Sequence, residues 1–183
     1  MKATPLTTAM REMRVVRRYA ARPVPDHVLD DVLEVARWTG TSKNTQPWHL
    51  VVVRDRATLQ RLSKLGQFAS HLAGADLAIA LVMEGKGNAF DCGRLAERLM
   101  LAAWSHGIGS CIGSIWPDPN ERAAKETLGV PQDRWVHQTI AFGYPRDADA
   151  TRVSRTPGVV PGLALGRRPL SELVSWERFG RAR

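Results

Sequence analysis

Cysteine is scarce: Cys92 and Cys111 are the only two in 183 residues. Thiols so few and so far apart exclude a disulfide scaffold and a cysteine-rich metal centre. No apolar run approaches the roughly 20 residues that a membrane-spanning helix needs. Residues 1–10 hold no continuous apolar segment of the signal-peptide kind, so a cytoplasmic protein with reduced thiols is expected. No GxGxxG follows a strand and no P-loop lysine motif occurs, which argues against a Rossmann dinucleotide site and a nucleotide triphosphatase. The five histidines show no HExxH or comparable metal spacing, and no GxSxG elbow marks a serine hydrolase. His27, His49, His71, His106 and His137 therefore read as surface or strand residues. Acidic residues are the minority, 18 against 26 basic, for a net charge of +8. The basic residues spread along the chain, denser over residues 11–22 and 167–183, and no nucleic-acid-binding motif accompanies them. Solvated basic faces, then a local anionic ligand, account for that charge ahead of nucleic acid.

What is present is the make-up of a globular domain, 44% hydrophobic and 24% charged. Arg22-Pro-Val-Pro-Asp26 precedes apolar residues at helical spacing, with Asp26 placed to cap that helix and Gly40 to end it. His49-Leu-Val-Val-Val53 is mostly β-branched and reads as a buried strand. Residues 57–65 look helical, and Leu77-Ala-Ile-Ala-Leu-Val-Met83 is a second buried strand. Residues 91–106 form a long helix with Leu95, Leu99, Ala102 and Ala103 inward. Residues 110–115 are extended. Asp118, Pro119 and Glu121 carry a helix-start signature in which the acid reaches back to the first turn. Residues 135–142 alternate as a strand, and residues 170–179 resemble a terminal helix. Residues 146–166, rich in Gly, Pro and Arg, carry little helix or strand signal, which is uncommon inside a compact domain.

Three segments can carry chemistry. Thr41-Ser-Lys-Asn-Thr-Gln-Pro-Trp48 gathers hydroxyl and amide side chains that can hydrogen-bond the edge of a heteroaromatic ring. Pro47 fixes its own φ and Trp48 can anchor the loop. Taken alone, the segment also fits an ordinary turn whose amides satisfy their own backbone. In Met13-Arg-Val-Val-Arg-Arg-Tyr19, Arg14 and Arg17 are three apart and share a helical face, suited to a phosphate dianion or simply to solvent. Arg167 and Arg168 offer a second basic site of the same kind.

In this order the segments resemble the nitroreductase family of FMN-dependent oxidoreductases, from about Met10 to Val174. The resemblance rests on Arg14-Val-Val-Arg-Arg-Tyr19, Pro23-Val-Pro25 and Ser42-Lys-Asn-Thr-Gln-Pro-Trp48. It continues through Asp91-Cys-Gly93, Leu99-Met-Leu-Ala-Ala103, Gly107-Ile-Gly-Ser-Cys111, Gly143-Tyr-Pro145 and Arg167-Arg-Pro-Leu170. It implies an α+β fold, a three-layer α/β/α sandwich around a central, mostly antiparallel sheet. The whole chain, 1–183, would be one flavin-binding domain, dimeric through an exchanged C-terminal extension, residues 146–183 wrapping the partner subunit.

The resemblance also implies roles. Arg14, Val15, Arg17 and Arg167 or Arg168 would hold the FMN phosphate and ribityl chain. Ser42, Asn44, Gln46 and Gln67 would line the ring and ribityl groups. Ile112, Gly113 and Ser114 would cover one ring face, with a backbone N–H toward flavin N5. NAD(P)H would supply hydride, and a nitroaromatic, quinone or enone would accept it. No catalytic side chain and no metal is implied, since the cofactor carries the hard chemistry. Met13 and Val15 stand where the family has arginine and serine, and Leu165 where it has lysine, so a deazaflavin stays open beside FMN. The alternative is a flavin- or deazaflavin-binding protein without turnover, or a basic nucleic-acid-binding protein.

Overall fold

A seven-residue run without one polar side chain sets the centre of the molecule. In the computed structural model, which describes residues 6–85, 89–147, 158–160, 163–165 and 167–181, Leu77–Met83 is strand β2 and every residue in it is buried. Side chains alternate across a strand, and here the two faces differ in size. Leu77, Ile79, Leu81 and Met83 enter one core, while Ala78, Ala80 and Val82 enter the other. β2 lies between β1 (Trp48–Val53) and β4 (Trp135–Gly143), with β3 (Gly109–Ser114) beyond β4, in the order β1-β2-β4-β3. All three pairings are antiparallel.

The larger core is covered by α2 (Asp26–Arg37) and α4 (Ala89–Ser105). Val28, Val32 and Ala36 recur every fourth residue along α2, and Leu95 and Leu99 do so on α4, the stripe a helix presents to a sheet. The second core lies under α3 (Arg56–Leu62) and α5 (Asp118–Leu128), through Leu59, Leu62 and Ala124. The expected α/β/α sandwich is thus present. A short helix α1 (Leu6–Glu12) precedes these layers, and α3 is capped by Asp55, whose carboxylate accepts from the Thr58 N–H at 2.8 Å. The chain divides into Met1–Thr151 and Arg152–Arg183. The second unit holds the hairpin β5 (Gly158–Val160) and β6 (Leu163–Leu165) and the helix α6 (Leu170–Leu173).

Several local expectations differ from the structure. β1 is an edge strand with His49 and Val52 exposed, not a buried one. Pro25, not Asp26, occupies the cap position of α2, because the Asp26 carboxylate is drawn to Arg54 at 3.0 Å. α5 likewise starts from Pro117 without a side-chain cap, its Glu121 having turned to β4. The terminal helix is four residues, not ten: all described residues of 167–181 are exposed, and a short helix with nothing to pack on is marginal. Within residues 146–166, where little regular structure was expected, lies the β5–β6 hairpin.

β4 carries two further features. Gln138 pairs with Leu81 but Trp135 pairs with Met83, so β4 has one residue more than β2 in that interval, a bulge at Val136 and His137. Thr139 is fully buried and its hydroxyl has no hydrogen-bond partner among the described residues. Thr139→Val should therefore stabilise the fold by about 1 kcal/mol, read as a melting temperature about 2–4 °C higher. A lower melting temperature would show that the hydroxyl is satisfied.

Candidate functional site

The sequence-derived candidates collect at two places. The first is the outer edge of β3. Residues 13–19 are extended rather than helical, so Arg14 and Arg17 do not share a helical face. Val15 and Val16 are β-branched and favour that geometry, and β3 supplies the partner. Val15 bridges Ser110 in parallel, and the Val16 N–H donates to the Ser110 carbonyl at 2.9 Å. Val16 fits because Gly109 has no side chain: a Cβ there would meet Val16 Cβ and Cγ2 at 2.5 Å.

Arg17 is thereby brought against Cys111 and His71. Burial pushes the Cys111 thiol up, and Arg17 opposes that. Burial also holds the His71 imidazole below its usual value, its contact with the Cys111 carbonyl at 3.2 Å pulling the other way. The Arg14 guanidinium folds back, donating to the carbonyls of Arg11 and Met13 at 2.6 Å each. At the far end of β3, Gly66 lies flush on the strand: a Cβ would stand 2.0 Å from the Ser114 carbonyl oxygen. Gln67, the next residue, is exposed. Gly113 packs under Ala69 and Leu72, while the side chains of Ile112 and Ser114 are exposed. Arginines at one end of β3 and an amide at the other are some 13 Å apart, at roughly 3.3 Å per residue.

The second place is the loop before β1. Lys43, Asn44 and Gln46 have φ of 53°, 54° and 47°. Three non-glycine residues in the left-handed region within four positions are strained, and such strain clusters at functional sites. The loop holds them by its own bonds. The Gln46 N–H donates to Thr41 Oγ1 at 3.1 Å, and Gln46 Nε2 donates to Asn44 Oδ1 at 3.1 Å. Ser42, Asn44 and Gln46 remain exposed while Pro47 is buried and Trp48 packs on the larger core.

Within one chain these places do not converge. Leu50 pairs with Leu81, Leu81 with Gln138 and Gln138 with Ser114, so the start of β1 and the end of β3 share one end of the sheet. They sit on opposite edges, three strand spacings or about 14 Å apart. Arg167 and Arg168 belong to the second unit, where Arg168 Nε pairs with Glu172 at 3.0 Å.

One polar cluster escaped the sequence reading. Past the end of β3, the Glu121 carboxylate accepts from the Val136 N–H at 3.0 Å and pairs with His137 Nε2 at 3.1 Å and Lys125 Nζ at 3.3 Å. Its side chain is 13% exposed. The spacing of Glu121 and Lys125, four apart on α5, was the only sequence signal. Burial pushes the Glu121 carboxyl up, but the Val136 N–H, His137 and Lys125 together bring it below its ordinary value. A carboxyl lowered by folding stabilises above its unfolded value of about 4.3 and loses that stability as pH falls through its folded value. The melting temperature of the protein should exceed that of Glu121→Gln at pH 7, with the gap closing below about pH 4. A gap independent of pH would contradict these contacts.

Among the described residues no group of three His, Cys, Asp or Glu could hold a metal ion, and no helix is long and apolar enough to cross a membrane. The sequence profile of the nitroreductase family matches residues 10–70 and 68–144. A putative NADH dehydrogenase/NAD(P)H nitroreductase of Archaeoglobus fulgidus is 32% identical over 142 residues, 73% of this chain and 82% of the relative. An NADH dehydrogenase of Thermus thermophilus is 38% identical over 209 residues, 92% of this chain and 94% of the relative. Among solved structures, an FMN-dependent nitroreductase from Clostridium difficile superposes with TM-score 0.71 at 27% identity, over 76% of this chain and 87% of that one. A putative NADH dehydrogenase/NAD(P)H nitroreductase from Bacteroides thetaiotaomicron reaches TM-score 0.80 at 21% identity, over 95% and 98%, a likeness of fold.

Proposed function

The chain belongs to the nitroreductase family, and from that premise we propose that it is an oxidoreductase binding FMN along the outer edge of β3. The observation that carries this reading is the β3 strip itself. Its donor set fits the cofactor: Val15 and Arg17 lie against Ser110 and Cys111, and Gly66, the residue before Gln67, lies against Ser114. Arg14 and Arg17 hold the phosphate dianion, for which guanidinium forks are suited. The Gln67 amide bonds the polar ring edge, and the exposed Ile112 and Ser114 cover one ring face while Gly113 between them packs inward under Ala69 and Leu72. The chemistry FMN supplies when bound is two-electron transfer from NAD(P)H to a small oxidised acceptor such as a nitroaromatic, quinone or enone. The protein contributes position and charge, and needs no nucleophile of its own.

Ser42, Asn44 and Gln46 join this site in a homodimer. Their loop stands about 14 Å from the strip within one chain, so a second copy brings its loop to the first copy's β3. The exchanged tail, residues 146–183, wraps the partner and carries Arg167 and Arg168 to the phosphate. An absorption spectrum and a mass spectrum of the copurifying ligand test the reading, with light scattering for the dimer. A yellow dimer that releases FMN and oxidises NADH or NADPH with one of these acceptors is expected. A colourless protein that takes up neither FMN nor a deazaflavin overturns it.

A further inference from the structure

His71 is a buried titratable group to which the flavin reading gives no role, 8% exposed in the short helix Ser70–Gly74. It joins two segments that the reading does use. Nε2 contacts the Cys111 carbonyl of β3 at 3.2 Å, and the ring also meets the carbonyl of Phe68, the residue after Gln67. We propose that His71 ties this turn to β3 and takes up a proton when an anion settles on Arg17, so that proton and cofactor phosphate bind together.

Two carbonyls call for two N–H groups, and a neutral imidazole has one where an imidazolium has two. The ring is therefore one proton short of the contacts that the fold gives it. The groups that bear on it are Arg17, from the extended segment 13–19, and Cys111, from β3, with Tyr19 near both. Burial pushes the Cys111 thiol and the Tyr19 phenol up, so both are neutral near pH 7. Among the described residues no carboxylate bears on this cluster. Burial, and after it the Arg17 cation, hold the imidazole below its usual value, so that without an anion it is neutral near pH 7. The cation that repels the proton is also the one open to a ligand, since Arg17 is exposed. A phosphate on Arg17 cancels that repulsion, and the second carbonyl contact then closes. A group whose value rises on binding favours the ligand most below its free value and ceases to do so as pH passes its bound value. The affinity for FMN thus gains from His71 in acid and loses that gain toward alkaline pH.

This coupling rests on the FMN reading, and its test separates the two. Proton NMR of the flavin-stripped protein follows the His71 ring, whose signal is the one missing from His71→Gln. Its midpoint should lie below the ordinary 6.5 and rise by about one pH unit with saturating FMN. Arg17→Ala should raise the midpoint by itself and abolish the response. Calorimetric titration with FMN in two buffers of different ionisation enthalpy counts the protons taken up, and the wild type should take up more than His71→Gln. The titration of the FMN phosphate is common to both proteins and cancels. The ratio of the His71→Gln Kd to that of the wild type should grow about tenfold from about pH 8 to about pH 5.5. His71→Leu, which has no N–H to offer, should bind FMN more weakly than His71→Gln even at about pH 8, because the turn is then untied. A midpoint that FMN does not move, or equal proton counts in the two proteins, overturns the proposal while FMN remains bound. If the wild type takes up no FMN, the flavin reading fails. The same midpoint, read against inorganic phosphate with chloride at matched ionic strength, then decides whether His71 answers an anion on Arg17.

Discussion

Gly66→Ala is expected to empty the protein of flavin and to lower its melting temperature by about 6 °C or more. The added carbon would stand 2.0 Å from the Ser114 carbonyl oxygen and 3.1 Å from the Ser114 carbonyl carbon and Ala69 Cβ. The first two are backbone atoms in the last residue of a strand, so no side chain can rotate out of the way. Either the 66–67 turn lifts or the end of β3 bends. Overpacking of this kind costs about 1–3 kcal/mol or more, and each kcal/mol is worth about 2–4 °C in a chain of this length. The functional effect is the larger one. Lifting the turn displaces Gln67, and bending β3 displaces Ile112 and Gly113, so either relaxation disturbs the end of the strip proposed for the flavin ring. Gly74→Ala is the matched control, since nothing lies within 4 Å of a Cβ there. Thermal melts and flavin absorbance on the two variants decide the matter. If Gly66→Ala keeps both its flavin and its melting temperature, the turn does not lie against β3.

The layers were legible in the sequence because their signals are local. The apolar run of β2, the fourfold spacing on α2 and the inward face of α4 each decide burial from neighbours within two turns. Where the sequence misled, a partner distant in the chain prevailed. Val51, Val52 and Val53 are as apolar as a central strand, yet among the described residues β1 pairs only with β2, and strand order is not written in composition. Arg14 and Arg17 have helical spacing, but Ser110 draws Val15 and Val16 into an extended pairing. Asp26 and Glu121 read as helix-start residues, but each is taken by a remote group, Arg54 for one and the Val136 N–H for the other. The loop before β1 was visible as a motif, but the left-handed backbone at Lys43, Asn44 and Gln46 was not. None of those residues is glycine, and only Asn44 is of a type enriched at positive φ, so the run of three is not announced by residue identity.

Replacing Arg14 and Arg17 together by alanine should weaken FMN binding by about a thousandfold, so that the protein purifies colourless. Each guanidinium–phosphate contact is worth about 1.5–3 kcal/mol, or about 10–100-fold in Kd. The two contacts share one dianion, so the double change falls short of the product of the single ones. The single variants are not equivalent. Arg14 donates to the carbonyls of Arg11 and Met13 and must leave them to reach a ligand, whereas Arg17 stands beside Cys111 and His71. Arg17→Ala should therefore have the larger effect on FMN and a second consequence besides. With its cation gone, burial alone governs the Cys111 thiol, which moves further up and alkylates more slowly at a given pH. That rate reports the position of Arg17 independently of any flavin. Arg18→Ala is the control, because Arg18 is exposed and pairs with Asp147 at 3.5 Å. FMN titrations at two salt concentrations complete the case: the wild-type affinity should fall with salt, and the double variant's should not. If the double variant binds FMN as tightly as the wild type while Cys111 alkylation slows, Arg17 is where the structure puts it and the phosphate lies elsewhere.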